Sequence, residues 1–229
     1  MTTALKIAWR EARASSARFA FVVIAVALGV GALTGVRGFS TAFRDMLLRE
    51  AKTLMAADLT VRIFALPSDQ QTKALESLRA RGIDWTQVSE TLSMVTSPAV
   101  TDPLMVTVKA VDPARYPFYG SLLVTPAAKL SDDVALLAAD ALERLGTRVG
   151  ETIVVGGLPL RIAGVITAEP DRMTGSMNIG PRVMITRVAL ERTGLLRIGS
   201  RAVQRFLIKV PGGGNIEAVR QELVRAFPE

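Results

Sequence analysis

Residues 19–36, FAFVVIAVALGVGALTGV, are eighteen consecutive residues without a charge. Wound as an α-helix they rise about 27 Å, close to the thickness of a bilayer's hydrocarbon core. Over five turns the run has no polar face, which disfavours a helix packed into a soluble core. A cleaved leader carries a shorter apolar stretch of about 7–15 residues ending at an A-x-A-like site. Here the apolar run is longer, and a charged, helix-compatible segment follows it, GFSTAFRDMLLREAKTLMAA. The stretch therefore reads as a retained transmembrane helix, with Arg18 and Arg37 at its ends able to reach headgroups.

The net charge of +7 follows this segment. Residues 1–58 hold 8 basic and 4 acidic residues, so more than half of the excess flanks the span. That distribution fits membrane flanks and argues against a nucleic-acid partner, as does an aromatic content of only 5%. Lys6, Arg10, Arg13 and Arg18 precede the span, and Arg37, Arg44, Arg49 and Lys52 follow it. The flanks tie in Lys plus Arg, so charge alone leaves orientation open. Before the span, TALKIAWREAR puts Leu5, Ala8, Trp9 and Ala12 on one helical face, as expected of a helix lying in the interface over residues 1–15. Within it, Ala27, Gly31 and Gly35 recur at four-residue spacing and would let another helix approach closely. Beyond it, Phe39, Phe43, Met46, Leu47 and Leu54 continue a helical stripe, so residues 16–57 read as span plus stalk.

From residue 58 the period changes. DLTVRIF alternates like a strand, PSDQQTKALESLRARG like a capped helix ending at Gly82, and residues 84–97 and 104–111 like two strands joined by a Pro/Asp turn. After the irregular DPARYPFYGSLL, the run DDVALLAADALERLG reads as a helix stopping at Gly146. GETIVVGGLPLRIAGVI reads as a hairpin about Gly156-Gly157. RVMIT and RAVQRFLIKV read as strands, and NIEAVRQELVRAF as a helix with Ile216, Val219, Leu223 and Phe227 on one face. The pattern predicts an α+β domain. Its last β-α unit has no returning strand, and the natural chain is expected to continue.

There is no His and no Cys, which removes thiol chemistry, the commonest metal ligand and the commonest general base. Residues 169–183, EPDRMTGSMNIGPRV, concentrate polar groups in a Gly/Pro-punctuated loop. Glu169 and Asp171 flank Pro170. As i,i+2 neighbours in extended chain they should point to opposite faces, which disfavours an acid–base pair. They are expected to pair with Arg172 or Arg182 as surface pairs worth about 0–1 kcal/mol, while Met173, Met177 and Met184 could offer a soft apolar surface. Ser176 has no partner base, and no spacing supports a dyad with Lys109, Lys129 or Lys209. Gly212-Gly213-Gly214 is not followed by GK[ST], so no phosphate loop is present. Asp132-Asp133 reads as an acidic helix start. No catalytic residue, metal ligand or cofactor is assigned to this chain.

The order of segments then becomes recognisable: a basic helix, one span, a stalk ending AADLTVR, then KAVDPARYPFYG, ALERLGTRVGETI, GVITAEPDR, IGPRVMIT and TGLLRIGSR. It resembles the FtsX-like, MacB-type ABC transporter permeases, most of all their YbbP-like group, and more distantly the lipoprotein-releasing permeases. The resemblance implies a cytoplasmic N-terminus in the bacterial inner membrane and a periplasmic core domain over 58–229. In that domain an αβ subdomain (58–115 and 201–229) would be split by a β-rich insert (116–200). It implies ATP bound by a separate ATPase subunit, a second permease half or protomer, and contact with membrane lipid. ATP-driven movement would be transmitted along the stalk to lipids, lipoproteins or hydrophobic molecules, or to a periplasmic protein partner. The loop residues Glu169, Asp171, Arg172, Met173, Met177 and Arg182 would then serve contact and shape. The alternatives are a single-pass anchored module that binds a periplasmic enzyme and, further off, a hydrolase using the EPDR loop.

Overall fold

Helix α1 covers Ser16–Met55 in the computed structural model, which describes residues 9–10, 16–172, 180–196, 200, 202–212 and 214–228. The expected interfacial helix lies outside these residues, apart from Trp9 and Arg10, both helical and exposed. The chain divides into two compact units, residues 1–50 and 51–229. In the first, Ala20–Arg44 is a 25-residue stretch with mean hydropathy 2.0, long and apolar enough to cross a membrane. Every residue from 20 to 44 is exposed. The hydroxyls of Thr34 and Thr41 donate to the carbonyls of Val30 and Arg37, at 2.8 and 3.0 Å. Both polar groups are thereby satisfied within the helix.

Among the described residues, the second unit is built on nine strands. Strand β1 (Leu59–Ile63) leads to α2 (Asp69–Ala80). Ser68 Oγ accepts from the Gln71 amide, and Gln71 Oε1 accepts from the Ser68 amide at 2.9 Å, a reciprocal cap that starts the helix where the sequence places it. β2 (Asp84–Ser97) and β3 (Val100–Val111) form a long hairpin. Its turn lies at Pro98-Ala99, within the segment expected to hold a Pro/Asp turn, and β3 begins at Val100, four residues before the expected start. Pro103 falls where the register slips between Val95 and Ser97, an irregularity that tolerates a missing donor.

The segment expected to be one helix from Asp132 divides. Val134–Ala138 is strand β5, and only Ala139–Arg144 is helical (α3). VALLA is buried at all five positions, with β7 (Leu158–Ala168) on one side and β8 (Arg182–Thr186) on the other. A continuous apolar run has no period to separate buried strand from buried helix, and pairing on both sides overrides the helical propensity of Ala and Leu. Asp132 and Asp133 are accordingly not a helix start. Asp132 accepts from Thr186 Oγ1 at 2.6 Å, and Asp133 pairs with Arg192 at 2.9 Å.

β6 (Thr152–Val155) turns into β7 through Gly156 and Gly157, both at positive φ as such a two-residue turn requires. Two elements were not expected: the short strand β4 (Leu123–Thr125) and helix α4 (Arg187–Thr193), which Thr186 caps. β9 (Ala202–Lys209) and α5 (Ile216–Ala226) close the fold.

The strand order is β1-β9-β2-β3-β8-β5-β7-β4, with β6 joining β7 to β2. The pairings β2–β3, β3–β8, β8–β5, β5–β7, β7–β6 and β6–β2 thus close a ring of six strands. Inside the ring lies an apolar core that includes Val95, Val108, Leu137, Ile153 and Ile185. The flanking strands β1 and β9 and the start of β2 carry α2 and α5, and Leu75, Leu78, Phe206, Leu223 and Phe227 pack there.

Gly164 marks a close approach in the ring wall. A Cβ at this position would lie 2.5 Å from Val124 Cγ1 and 3.0 Å from the carbonyl of Pro126. Gly164→Ala is therefore expected to lower stability by about 1–3 kcal/mol, read as a drop in the denaturant midpoint of the purified chain.

Candidate functional site

The polar loop after β7 rests on an ionic cluster buried in the domain. β2, β3 and β9 are neighbours, and their alternation sends Glu90, Lys109 and Arg205 to one face of the sheet. Glu90 lies directly across the ladder from Lys109. Lys109 Nζ donates to Tyr116 Oη at 2.7 Å, to Glu169 Oε1 at 2.5 Å and to Asp171 Oδ1 at 2.6 Å. Its three donors are thereby all used. Tyr116 also donates to Asp171 Oδ1. Arg205 Nη2 reaches Asp171 Oδ2 at 2.6 Å and Glu90 Oε1 at 3.0 Å. Arg182, the first residue of β8, donates to Glu169 Oε1 at 2.8 Å. Three carboxylates and three cations balance, and each of these six side chains is at most 5% exposed.

This corrects the expectation drawn from spacing. Glu169 and Asp171 do converge, on Lys109, because β7 ends at Ala168 and residues 170–172 turn, so strand alternation no longer applies. Nor are these surface pairs. Arg182 is a partner of Glu169 as expected, but Lys109 and Arg205 come from strands distant in sequence and could not be read from the loop. The one available signal was a Lys in KAV and an Arg in RAVQRF, each inside an apolar strand where a lone charge needs a partner. Arg172 is exposed. Met173 and Met177 lie outside the described residues, and Met184 is fully buried in β8.

The electrostatics follow from the packing. Burial pushes the Asp171 carboxyl upward, but Lys109 and Arg205, with hydrogen bonds from Lys109 and Tyr116, more than reverse this and bring it to about 2. Burial, together with the negative charge of Asp171 and Glu169, holds the Tyr116 phenol well above its usual value. Burial opposes charge on Arg205, but Asp171 and Glu90 outweigh it and raise its pKa. The cluster can pin a loop. It presents no lysine free to act as nucleophile or base. Among the described residues, no group of acids has the arrangement of a metal site.

A second polar anchor lies at the start of the domain. Asp58 accepts from Tyr119 Oη at 2.7 Å and the Val210 amide at 2.9 Å, and pairs with Lys52 at 2.7 Å. Ala56, at φ 55, takes the left-handed turn that ends α1. In the first unit, a Cβ built on Gly31 or Gly35 meets nothing within 4 Å, and Ala27 is exposed.

The model of the family described as MacB-like periplasmic core domain matches residues 19–226, helix and domain together. The chain belongs to the MacB-like periplasmic core domain family. It is 32% identical over 210 residues to the Escherichia coli (strain K12) protein named uncharacterized ABC transporter permease YbbP, a match covering 90% of this chain and 24% of that protein. The chain thus spans about a quarter of the length of that relative. Among solved structures, the periplasmic region of MacB from Actinobacillus actinomycetemcomitans matches with TM-score 0.49 and 12% identity, covering 77% of this chain and 86% of that one. The extracellular domain of the noncanonic ABC-type transporter YknZ from Gram-positive bacteria matches with TM-score 0.47 and 14% identity, covering 73% and 91%. As a MacB-like core domain, the α+β unit is of the ABC-permease periplasmic type.

Lys109→Met is expected to strand Glu169 and Asp171 beside one another and to cost about 3–5 kcal/mol in denaturant unfolding. The cluster also sets an acid limit. The folded Asp171 pKa of about 2 lies below its ordinary 3.8, so roughly 2 kcal/mol of stability is present above pH 4 and is lost as pH falls toward 2. Asp171→Asn should remove that acid-sensitive portion, leaving a flatter stability profile between pH 4 and 2.

Proposed function

We propose that this chain is the membrane-entry helix and periplasmic domain of an ABC exporter permease. Cytoplasmic ATP hydrolysis by a partner subunit would drive movement of the periplasmic domain. The observation that carries this reading is the match of one family over both an uncovered apolar helix and the domain that follows it. The name of the E. coli relative supports the transporter class. In this reading the N-terminus is cytoplasmic, the helix lies in the inner membrane, and the moved molecules are lipids, lipoproteins or other hydrophobic compounds. The chain itself carries no catalytic residues or cofactor. ATP sits on the partner, and a second permease half or protomer completes the assembly.

The division of the domain belongs to the same proposal. Residues 58–115 and 201–229 form the αβ subdomain, and 116–200 the insert. Supporting this, β4 to β8 all come from the insert, and β5 to β8 close the ring on β2 and β3. The loop over 169–182 is the contact element, with Arg172, Met173 and Met177 as its contact residues for a periplasmic protein or the substrate. Glu169, Asp171 and Arg182 fix its base.

Packing of α1 offers a direct test. A Cβ at Gly31 or Gly35 meets nothing within 4 Å among the described residues, so Gly31→Leu and Gly35→Leu are expected to leave the domain folded. Both are expected to reduce recovery of the complete complex or its transport-coupled ATPase activity. Wild-type yield and wild-type coupled activity in both variants would sink the assignment of this face to helix packing.

A further inference from the structure

Residues 112–122 connect β3 to β4, and three features of the domain meet on them. Tyr119 Oη donates to Asp58 at 2.7 Å, and the Phe118 amide donates to the Ala56 carbonyl at 3.3 Å, so the segment is tied to the turn that ends α1. Tyr116 Oη donates to Asp171 and accepts from Lys109, so the same segment is tied to the ionic cluster under the loop after β7. It also forms one wall of a cavity of about 720 Å³.

The cavity has a defined chemistry. Leu122, Val124, Leu130 and Leu136 give it apolar walls. Among its lining residues only Tyr116 and Lys129 carry polar side chains, and the Tyr116 hydroxyl is already used in the cluster. Lys129 is exposed and makes no ion pair among the described residues. The acids near it in sequence are engaged elsewhere: Asp132 accepts from Thr186 Oγ1 at 2.6 Å, and Asp133 pairs with Arg192 at 2.9 Å. A lysine on an apolar rim lays its stem along the wall and keeps its ammonium in water. The volume lies within the range of about 300–1,000 Å³ that takes one small ligand. The walls call for hydrocarbon and the rim for one negative charge, which together describe an alkyl chain ending in a carboxylate.

We propose that this cavity is an effector site for a single-chain alkyl carboxylate, with the tail against Leu122, Val124 and Leu136 and the carboxylate at Lys129. A ligand biases a segment only through contacts that differ between its states, and the wall formed by residues 112–122 is that contact here. Filling the cavity braces the segment. Through Tyr119 it steadies the turn that ends α1, and through Tyr116 it steadies the loop base at Glu169 and Asp171. The inference goes beyond the export reading, which gives this cavity no role.

Photolabelling of the chain in phosphatidylcholine nanodiscs tests the site, with dodecanoate carrying a diazirine at the end of its tail as the probe. Adducts are expected on residues 111–136 and should disappear with excess dodecanoate. Ala127→Trp, at an exposed position on the cavity lining, is expected to abolish them. Lys129→Glu should weaken them about fivefold, while Lys73→Glu, at an exposed position on α2, leaves them unchanged. Adducts confined to α1, wild-type labelling of Ala127→Trp, or equal competition by dodecyltrimethylammonium overturns the proposal. Amide exchange tests the bracing separately. Saturating dodecanoate is expected to slow exchange at Phe118, Asp171 and Val210. Tyr116→Phe should remove the effect at Asp171 while labelling persists. Unchanged exchange at all three positions overturns the effector role, and an undiminished effect at Asp171 in Tyr116→Phe overturns the relay through Tyr116. Both measurements use this chain by itself, so their failure leaves the export reading standing.

Discussion

Lys109 lies in the middle of β3 with no exposure to solvent, and the domain is arranged so that it never lacks a counter-charge. A buried ammonium costs several kcal/mol unless its hydrogen bonds and its charge are both met. Glu169 and Asp171 supply both from a loop some sixty residues away in sequence. Arg205 and Arg182 then balance the acids, and Glu90 balances Arg205. The cluster therefore joins β2, β3 and β9 to the loop after β7 and the start of β8. Apolar residues of equal volume could make a more stable interior. They would not select one loop conformation, because an apolar contact is indifferent to a shift of an ångström and a saturated ion pair is not.

The same contrast explains what could be read from sequence. Local rules worked where the determining contacts are local. The Ser68–Gln71 cap, the Gly156-Gly157 turn and the uncharged run of α1 each lie within a few residues. They failed where a distant strand decides. VALLA becomes a strand because β7 and β8 lie on either side of it, and the EPDR acids converge because Lys109 waits beneath them. Helix α4 fell between these cases. Its cap, Thr186, and its stop, Gly194 at φ 65, are both local, but RVALERT follows strand β8 directly and is too short to show a period. Of the loop residues singled out from sequence, the structure brings Glu169, Asp171 and Arg182 together and leaves Arg172 in solvent.

Closing six strands into a ring accounts for the division of labour within the domain. β2 and β3 are fourteen and twelve residues long, more than either layer alone requires. The start of β2 pairs with β9 beside α2 and α5, while its far end pairs with β6 in the ring. A load on one layer is thus carried to the other through continuous backbone, without a flexible linker. The ion cluster spans the middle of that hairpin, at Glu90 and Lys109, where β9 and β8 flank it on either side.

Among the described residues, the sides of α1 and the outer edge of β1 are both exposed in part, and their demands differ. The sides of α1 expose side chains alone, since its backbone bonds are internal, so hydrocarbon satisfies them as well as another helix does. The small residues Ala27, Gly31 and Gly35 add only the capacity for a close neighbour. The outer edge of β1 exposes backbone as well as side chains. Outward amides and carbonyls of an edge strand call for hydrogen-bonding partners, which hydrocarbon does not supply. Of the two surfaces, the strand edge is thus the one whose partner is constrained in kind.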